Sequence, residues 1–178
     1  MKRLFTGIEI PSDIARALTM LRGGLSGARW IDPENYHLTL CFIGNIDDTA
    51  AREIAGLMGL VRRAGFELEI AGLDAFGGRR PRAVVAGVAP NPPLLELQAG
   101  QDRLLRRLAV MTEGRKFTPH VTLARLRQTS SRQVAEYLSM HHLFRLQPFH
   151  VSRFVLFSSR AAGGGGPYVV EAEYPLAG

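Results

Sequence analysis

His37-Leu38-Thr39-Leu40 is the stretch on which the fold turns, because it returns almost unchanged as His120-Val121-Thr122-Leu123. Each copy lies in an apolar run. If both runs are β-strands, residues two apart share a face, so His37 and Thr39 point one way while Leu38, Leu40 and Phe42 point the other. The same alternation sets His120 and Thr122 against Val121 and Leu123. Each strand then offers an imidazole and a hydroxyl about 6 to 7 Å apart on one surface and anchors itself by its apolar back. Packing alone gives no reason for both polar residues to recur on one face of two strands, so the pattern reads as a duplicated half-site.

Working outward, the segments around the two motifs replay one another. Leu4 to Ile10 reads as a strand, and Ser12 caps a helix running to Leu25 with Ile14, Leu18 and Leu21 on one face. Arg29 to Ile31 is a short strand, Asp32 to Asn35 a turn, and Tyr36 to Ile43 the first motif strand. Asp47-Asp48-Thr49 opens a helix to Arg63 carrying Ile54, Leu57, Leu60 and Val61 inward. Phe66 to Ile70 alternates as a strand partnered by Arg82 to Val88. Between them, Gly77-Gly78-Arg79-Arg80-Pro81-Arg82 either holds phosphate through its arginines or only turns the chain. A third helix from Leu94 to Val110 carries Arg103, Arg106 and Arg107 on a basic side. The second motif strand runs from His120 to Leu126 and a helix from Ser131 to Met140. Strand-like stretches from Phe144 to Phe157 follow, then a glycine loop from Gly163 to Pro167 and a last strand from Tyr168 to Tyr174.

The motif histidines are 120 minus 37, or 83, residues apart, close to half of the 178-residue chain. The strand pair from Phe66 to Val88 corresponds to the one from Phe144 to Tyr174. An internal duplication about a pseudo-twofold axis is expected. The fold class is α+β: residues 1–178 form one domain of two lobes, with duplicated antiparallel sheets making a central cleft and helices packed outside.

Composition narrows the partners. A formal charge of +6 and a pI of about 10.2, carried mostly by arginine, favour an anionic partner such as nucleic acid or a nucleotide over a neutral metabolite, the alternative being a basic surface that only keeps the protein soluble. The single cysteine, Cys41, excludes an internal disulfide framework and a Cys-rich zinc site. No stretch approaches a membrane span, and Glu9 and Pro11 interrupt any signal-like N-terminus, so a cytoplasmic protein is expected.

Two imidazoles across a cleft suit in-line attack on a phosphodiester. One neutral ring takes the nucleophile's proton and one protonated ring supplies the leaving oxygen, both within reach of a pKa near 6.5. The threonine hydroxyls donate to the non-bridging oxygens. The scheme needs no metal or other cofactor. His141 and His142 read as helix-end residues, His150 as a surface strand residue, and acidic groups near either motif are few, so no metal site is expected. Cys41 shares the His37 face by alternation, but nothing marks it as a thiolate nucleophile.

At these residues the sequence resembles the two-histidine phosphoesterase superfamily, and within it the RNA 2',3'-cyclic phosphodiesterases, also called 2'-5' RNA ligases. The resemblance extends to Arg3-Leu4-Phe5 with Pro11, Trp30 through Gly44, Pro119 through Arg125, and Gly166-Pro167-Tyr168 with Pro175-Leu176. It implies a bilobal enzyme that hydrolyses an RNA-terminal 2',3'-cyclic phosphate to a 2'-phosphate without metal. His120 would be the general base and His37 the general acid, with Thr39 and Thr122 holding the phosphate. Arg125 matches a family arginine that helps bind it. Strict alternation would set Arg125 with the apolar residues, so that role requires a bulge or strand end. Phe42 matches a family aromatic that stacks on the terminal base, or packs in the core as alternation has it. The resemblance leaves open 2'-5' RNA ligation by the same site, small cyclic nucleotides or an ADP-ribose cyclic phosphate as substrates, and a non-catalytic RNA- or nucleotide-binding module. A monomer is expected.

Overall fold

The computed structural model describes residues 1–110, 112, 114–160 and 166–178. Along them run β1 (Lys2–Glu9), α1 (Ser12–Thr19), β2 (Ala28–Trp30), β3 (His37–Ile46), α2 (Asp48–Met58), β4 (Phe66–Leu68) and β5 (Ile70–Phe76). Then come β6 (Ala83–Val88), α3 (Pro92–Arg107), β7 (His120–Leu126), α4 (Ser131–Met140), β8 (Phe149–Val151), β9 (Arg153–Ser159) and β10 (Tyr168–Pro175). The glycine run expected at 163–165 lies outside the described residues.

All strand pairing among these elements is antiparallel. One group has the order β10-β9-β1-β3 and the other β7-β6-β5, with β2 also paired to β7. The pair Leu38 and Val121 joins the two groups across β3 and β7. A separate two-stranded sheet pairs β4 with β8. The apolar backs of the motifs do what alternation demands: Leu38 and Val121 are wholly buried, and Leu40 and Leu123 nearly so. They share one core with Leu18 of α1, Ile54 and Met58 of α2, Leu94, Leu97 and Leu105 of α3, and Val134 of α4. Each aliphatic side chain buried there contributes about 1.5 to 3 kcal/mol of transfer free energy.

The duplication is visible residue by residue. Adding the 83-residue motif spacing to Phe66–Leu68 gives Phe149–Val151, and adding it to Ile70–Phe76 gives Arg153–Ser159, which are β8 and β9. The helix caps obey the same step. Asp47 accepts the Ala50 N–H at 2.8 Å ahead of α2, and Ser130 accepts the Gln133 N–H at 3.1 Å ahead of α4. Gln133 returns the bond to the Ser130 N–H at 3.0 Å, closing a capping box. The correspondence of the hairpins holds only for their first strands. β6 lies between β5 and β7, whereas β10 lies outside β9, because β1 already occupies the place between β9 and β3.

Several element boundaries differ from expectation. The first helix stops at Thr19 rather than Leu25, with Pro11 at its N-cap and no side-chain cap from Ser12. Leu21 and Leu25 are still buried, at 5% and 8% exposure. Their periodicity reported burial correctly, but Gly23 and Gly24 turn to positive φ, 97° and 75°, and unwind the chain that carries them. α2 ends at Met58, leaving Leu60, expected inward, 61% exposed. α3 spans Pro92–Arg107, its prolines taking the first turn where no N–H is needed. Phe66 to Ile70 is split: β4 leaves for β8, and the partner of β6 is β5, with a bulge near Gly72, whose φ is 80°.

Candidate active site

The residues of the two motifs are brought together by one bridge and two matching irregularities. Leu38 opposite Val121 sets His37 beside Thr122 and Thr39 beside His120, so all four polar side chains share one face at the junction of the halves. In β3 the register with β1 runs from Thr6–Cys41 to Gly7–Thr39 and skips Leu40. In β7 the register with β6 runs from Val84–Ala124 to Val85–Thr122 and skips Leu123. Leu40 and Leu123 hold the same motif position, so the site contains one β-bulge twice.

The bulges reverse the alternation beyond them. Leu40 and Cys41 are both buried, as are Leu123 and Ala124. Phe42 and Arg125, which strict alternation would bury, turn to the histidine face. Cys41 is therefore not on the His37 face; its thiol is in the core, where burial pushes its pKa up to about 12. The Cys41 N–H freed by the bulge donates to the Thr6 hydroxyl at 3.1 Å, and Thr6 donates to the Gln101 side-chain oxygen at 2.6 Å. Opposite, a Cβ on Gly7 would stand 2.8 Å from the Leu38 carbonyl and 3.1 Å from the Phe157 ring, so only glycine fits.

Both histidines are held alike. His37 Nδ1–H donates to the Asn35 carbonyl at 2.9 Å and His120 Nδ1–H to the Thr118 carbonyl at 2.7 Å. A carbonyl only accepts, so Nδ1 carries a proton in each ring and Nε2 is left for chemistry. The His37 ring is boxed by Phe5 at 5.0 Å, Phe157 at 5.7 Å and Tyr168 at 4.8 Å, while Phe76 meets His120 edge-on at 4.7 Å. Phe5 and Tyr168 lie in stretches that carry the family resemblance, but none of these four aromatics was given a role at the site from the sequence. Phe157 and Tyr168 lie more than a hundred residues from His37, and no local pattern links them to it. Burial lowers both imidazole pKa values, against the opposing carbonyl bonds. The positive charges of His120 and Arg125 lower His37 further, and Arg125 does the same to His120, so the three cationic groups sit within mutual reach.

Two cavities flank the pair. One of about 460 Å³ adjoins His120 and is bounded by Thr39, Phe42, Phe76, Arg82 and Lys116. The other, about 480 Å³, adjoins His37 and is bounded by Arg16, Asn35, Tyr36, Phe157 and Tyr168. The basic loop thus contributes Arg82 to a cavity wall, with Arg79 and Arg80 exposed beside it. Of the remaining histidines, His141 packs on Tyr137 at 4.6 Å, His142 donates to the Ser139 carbonyl at 2.9 Å, and exposed His150 contacts the Glu67 carboxylate at 2.8 Å. Among the described residues, no three His, Cys, Asp or Glu side chains gather as ligands for a metal ion.

The model of LigT-like phosphoesterases matches this chain twice in succession, over residues 8–86 and 87–168, one match for each half. The chain belongs to the LigT-like phosphoesterase family. Among LigT-like relatives, it is 36% identical to the RNA 2',3'-cyclic phosphodiesterase of Aeropyrum pernix over 99 residues, covering 54% of this chain and 56% of that one. To the RNA 2',3'-cyclic phosphodiesterase of Aquifex aeolicus it is 28% identical over 155 residues, covering 84% and 82%. The fold agrees with two solved structures. The Thermus thermophilus protein TT0787 superposes with a TM-score of 0.81 at 25% identity, covering 99% of this chain and 98% of that one. Escherichia coli LigT complexed with 3'-AMP gives 0.80 at 25% identity, covering 98% of each.

Proposed function

We propose that this phosphoesterase hydrolyses the 2',3'-cyclic phosphate at the 3' end of RNA, leaving a 2'-phosphate. One observation carries the reading: two imidazoles, each with Nδ1–H tied to a carbonyl two residues back, present their Nε2 atoms at a shared face with two threonines and Arg125. His120 Nε2, neutral, takes a proton from water as the water oxygen bonds to phosphorus. The P–O3' bond breaks opposite, and His37 Nε2–H gives its proton to the departing O3'. Thr39 and Thr122 donate to the non-bridging oxygens, and the Arg125 guanidinium opposes the negative charge that builds there. The rings finish with protonation exchanged, and solvent restores them.

The lowered pKa values fit this division of labour. A base works best unprotonated at neutral pH, which burial provides for His120. The acid must hold a proton despite burial and the neighbouring Arg125 guanidinium, and the phosphate anion supplies the missing negative charge on binding. Phe42, on the wall of the cavity beside His120, gives a base a ring on which to stack. The names of the Aeropyrum and Aquifex relatives and the 3'-AMP held by E. coli LigT support a nucleotide phosphate as the target.

The deciding experiment incubates the protein with an oligoribonucleotide bearing a 2',3'-cyclic phosphate, with and without EDTA. The expected product is the 2'-phosphate, formed at the same rate in both. A 3'-phosphate product would reverse which oxygen leaves, chelator sensitivity would require a metal, and binding without turnover would make the chain a binding module.

A further inference from the structure

Arg29 and Arg125 face each other directly across β2 and β7. Residues directly opposite on antiparallel strands share a face and sit about 4.5 to 5.5 Å apart at Cβ, where like charges are unfavourable. The neighbour of Arg125 on its other side is Ala83 of β6. Among the described residues, no carboxylate lies within ion-pair distance of either arginine, so nothing on the protein offsets the repulsion between them. Both guanidinium groups are exposed, while the flanking residues Ala28 and Trp30 pack against the core, so Arg29 projects on the same side of the sheet as the histidines.

Position along the sheet gives this pair a meaning. β2 and β3 form one interrupted partner for β7: Arg29 lies opposite Arg125, Ile31 N–H donates to the Leu123 carbonyl at 2.9 Å, and Leu38 pairs with Val121. The bulge at Leu123 removes one residue from the count. Arg29 and Arg125 therefore lie about two strand positions, roughly 6 to 7 Å, from His37 and Thr122, on the side of His37 rather than that of His120. In the reaction proposed above, O3' leaves toward His37, so the ribose of the terminal nucleotide and the chain continuing from its O5' lie on that side.

We propose that Arg29, paired with Arg125, binds the backbone phosphodiester on the 5' side of the terminal nucleotide, making the protein selective for RNA chains over nucleoside 2',3'-cyclic monophosphates. This rests on the cyclic phosphodiesterase reading. An anion between two opposed guanidinium groups removes their repulsion and accepts a planar, bidentate contact from each. Arg125 thereby reaches both the reacting phosphate and the next one, and Arg29 serves the second alone.

The test compares kcat/KM for three substrates: a nucleoside 2',3'-cyclic monophosphate, a dinucleotide with the same cyclic end, and that dinucleotide with its linking phosphate replaced by a neutral methylphosphonate. The wild-type protein should prefer the charged dinucleotide by about tenfold or more, with the methylphosphonate falling to the level of the mononucleotide. Arg29→Ala should erase most of that preference and flatten the salt dependence by roughly 0.7 in log–log slope, one single-strand phosphate contact. Arg29→Lys should restore part of it, and Arg132→Ala, at a distant arginine paired with Glu136, should leave the ratio as in the wild type. A preference that survives in Arg29→Ala or with the methylphosphonate overturns the site. Hydrolysis of none of the three by the wild type overturns the cyclic phosphodiesterase reading and this proposal with it, whereas equal hydrolysis of all three overturns this proposal alone.

Discussion

Leu38 and Val121, the second residue of each motif, are paired with each other. Pairing between equivalent positions is what a twofold axis produces, and it recurs at Glu67 and His150, which also lie 83 residues apart and face each other across β4 and β8. The axis passes through both sheets. It places the imidazole of each half beside the hydroxyl of the other, so neither half makes a site alone.

That bridge should be sensitive to volume. Leu38→Ala empties a wholly buried position at the seam and is expected to cost about 2 to 5 kcal/mol, read by chemical denaturation. Leu38→Met, nearly equal in volume, should cost less than about 1.5 kcal/mol.

Replacement of either ring should stop the reaction without unfolding the protein. His37→Ala and His120→Ala are each expected to lower kcat by about 10²- to 10⁴-fold, with the melting temperature close to that of the wild type. The double variant should be little worse than either single one, because the proposed mechanism uses acid and base in one step. Full activity in either single variant would remove that ring from the mechanism.

The pH dependence follows from the direction of the shifts. Both imidazole pKa values are lowered by burial, so the bell-shaped profile of kcat/KM should be centred on the acid side of 6.5. Arg125 lowers both, so Arg125→Gln should move the profile toward alkaline pH while raising KM. Stability carries the same sign. The unfolded chain binds these protons more readily, so the contribution is complete above the unfolded pKa near 6.5 and is lost as pH falls through it toward the lower folded values. Melting temperatures from pH 7.5 to 5 should fall less steeply in His37→Gln than in the wild type.

The bulge in β3 depends on Thr6. Thr6→Val keeps the shape but strands the buried Cys41 N–H and the Gln101 oxygen, an expected loss of about 1 to 3 kcal/mol in denaturation experiments. If the bulge relaxes as well, Phe42 turns from the cavity and KM rises. Unchanged stability would show that the bulge is held by something other than this hydroxyl.

The duplicated His-x-Thr pattern determined much of this protein by itself: the two motif strands, the burial of Leu38, Leu40, Val121 and Leu123, the α+β class and the repeat. Those properties follow from a two-residue period and from burial, both written locally in the chain. Tertiary structure decided the rest. Whether Phe42 and Arg125 face core or cleft depends on register against β1 and β6, since a bulge is a mismatch between two strands that neither strand shows by itself. The aromatic box around His37 gathers Phe5, Phe157 and Tyr168 from opposite ends of the chain. Leu21 and Leu25 kept their burial and lost their helix, because apolar spacing encodes what must be hidden and leaves the backbone path to the glycines and to the neighbouring elements.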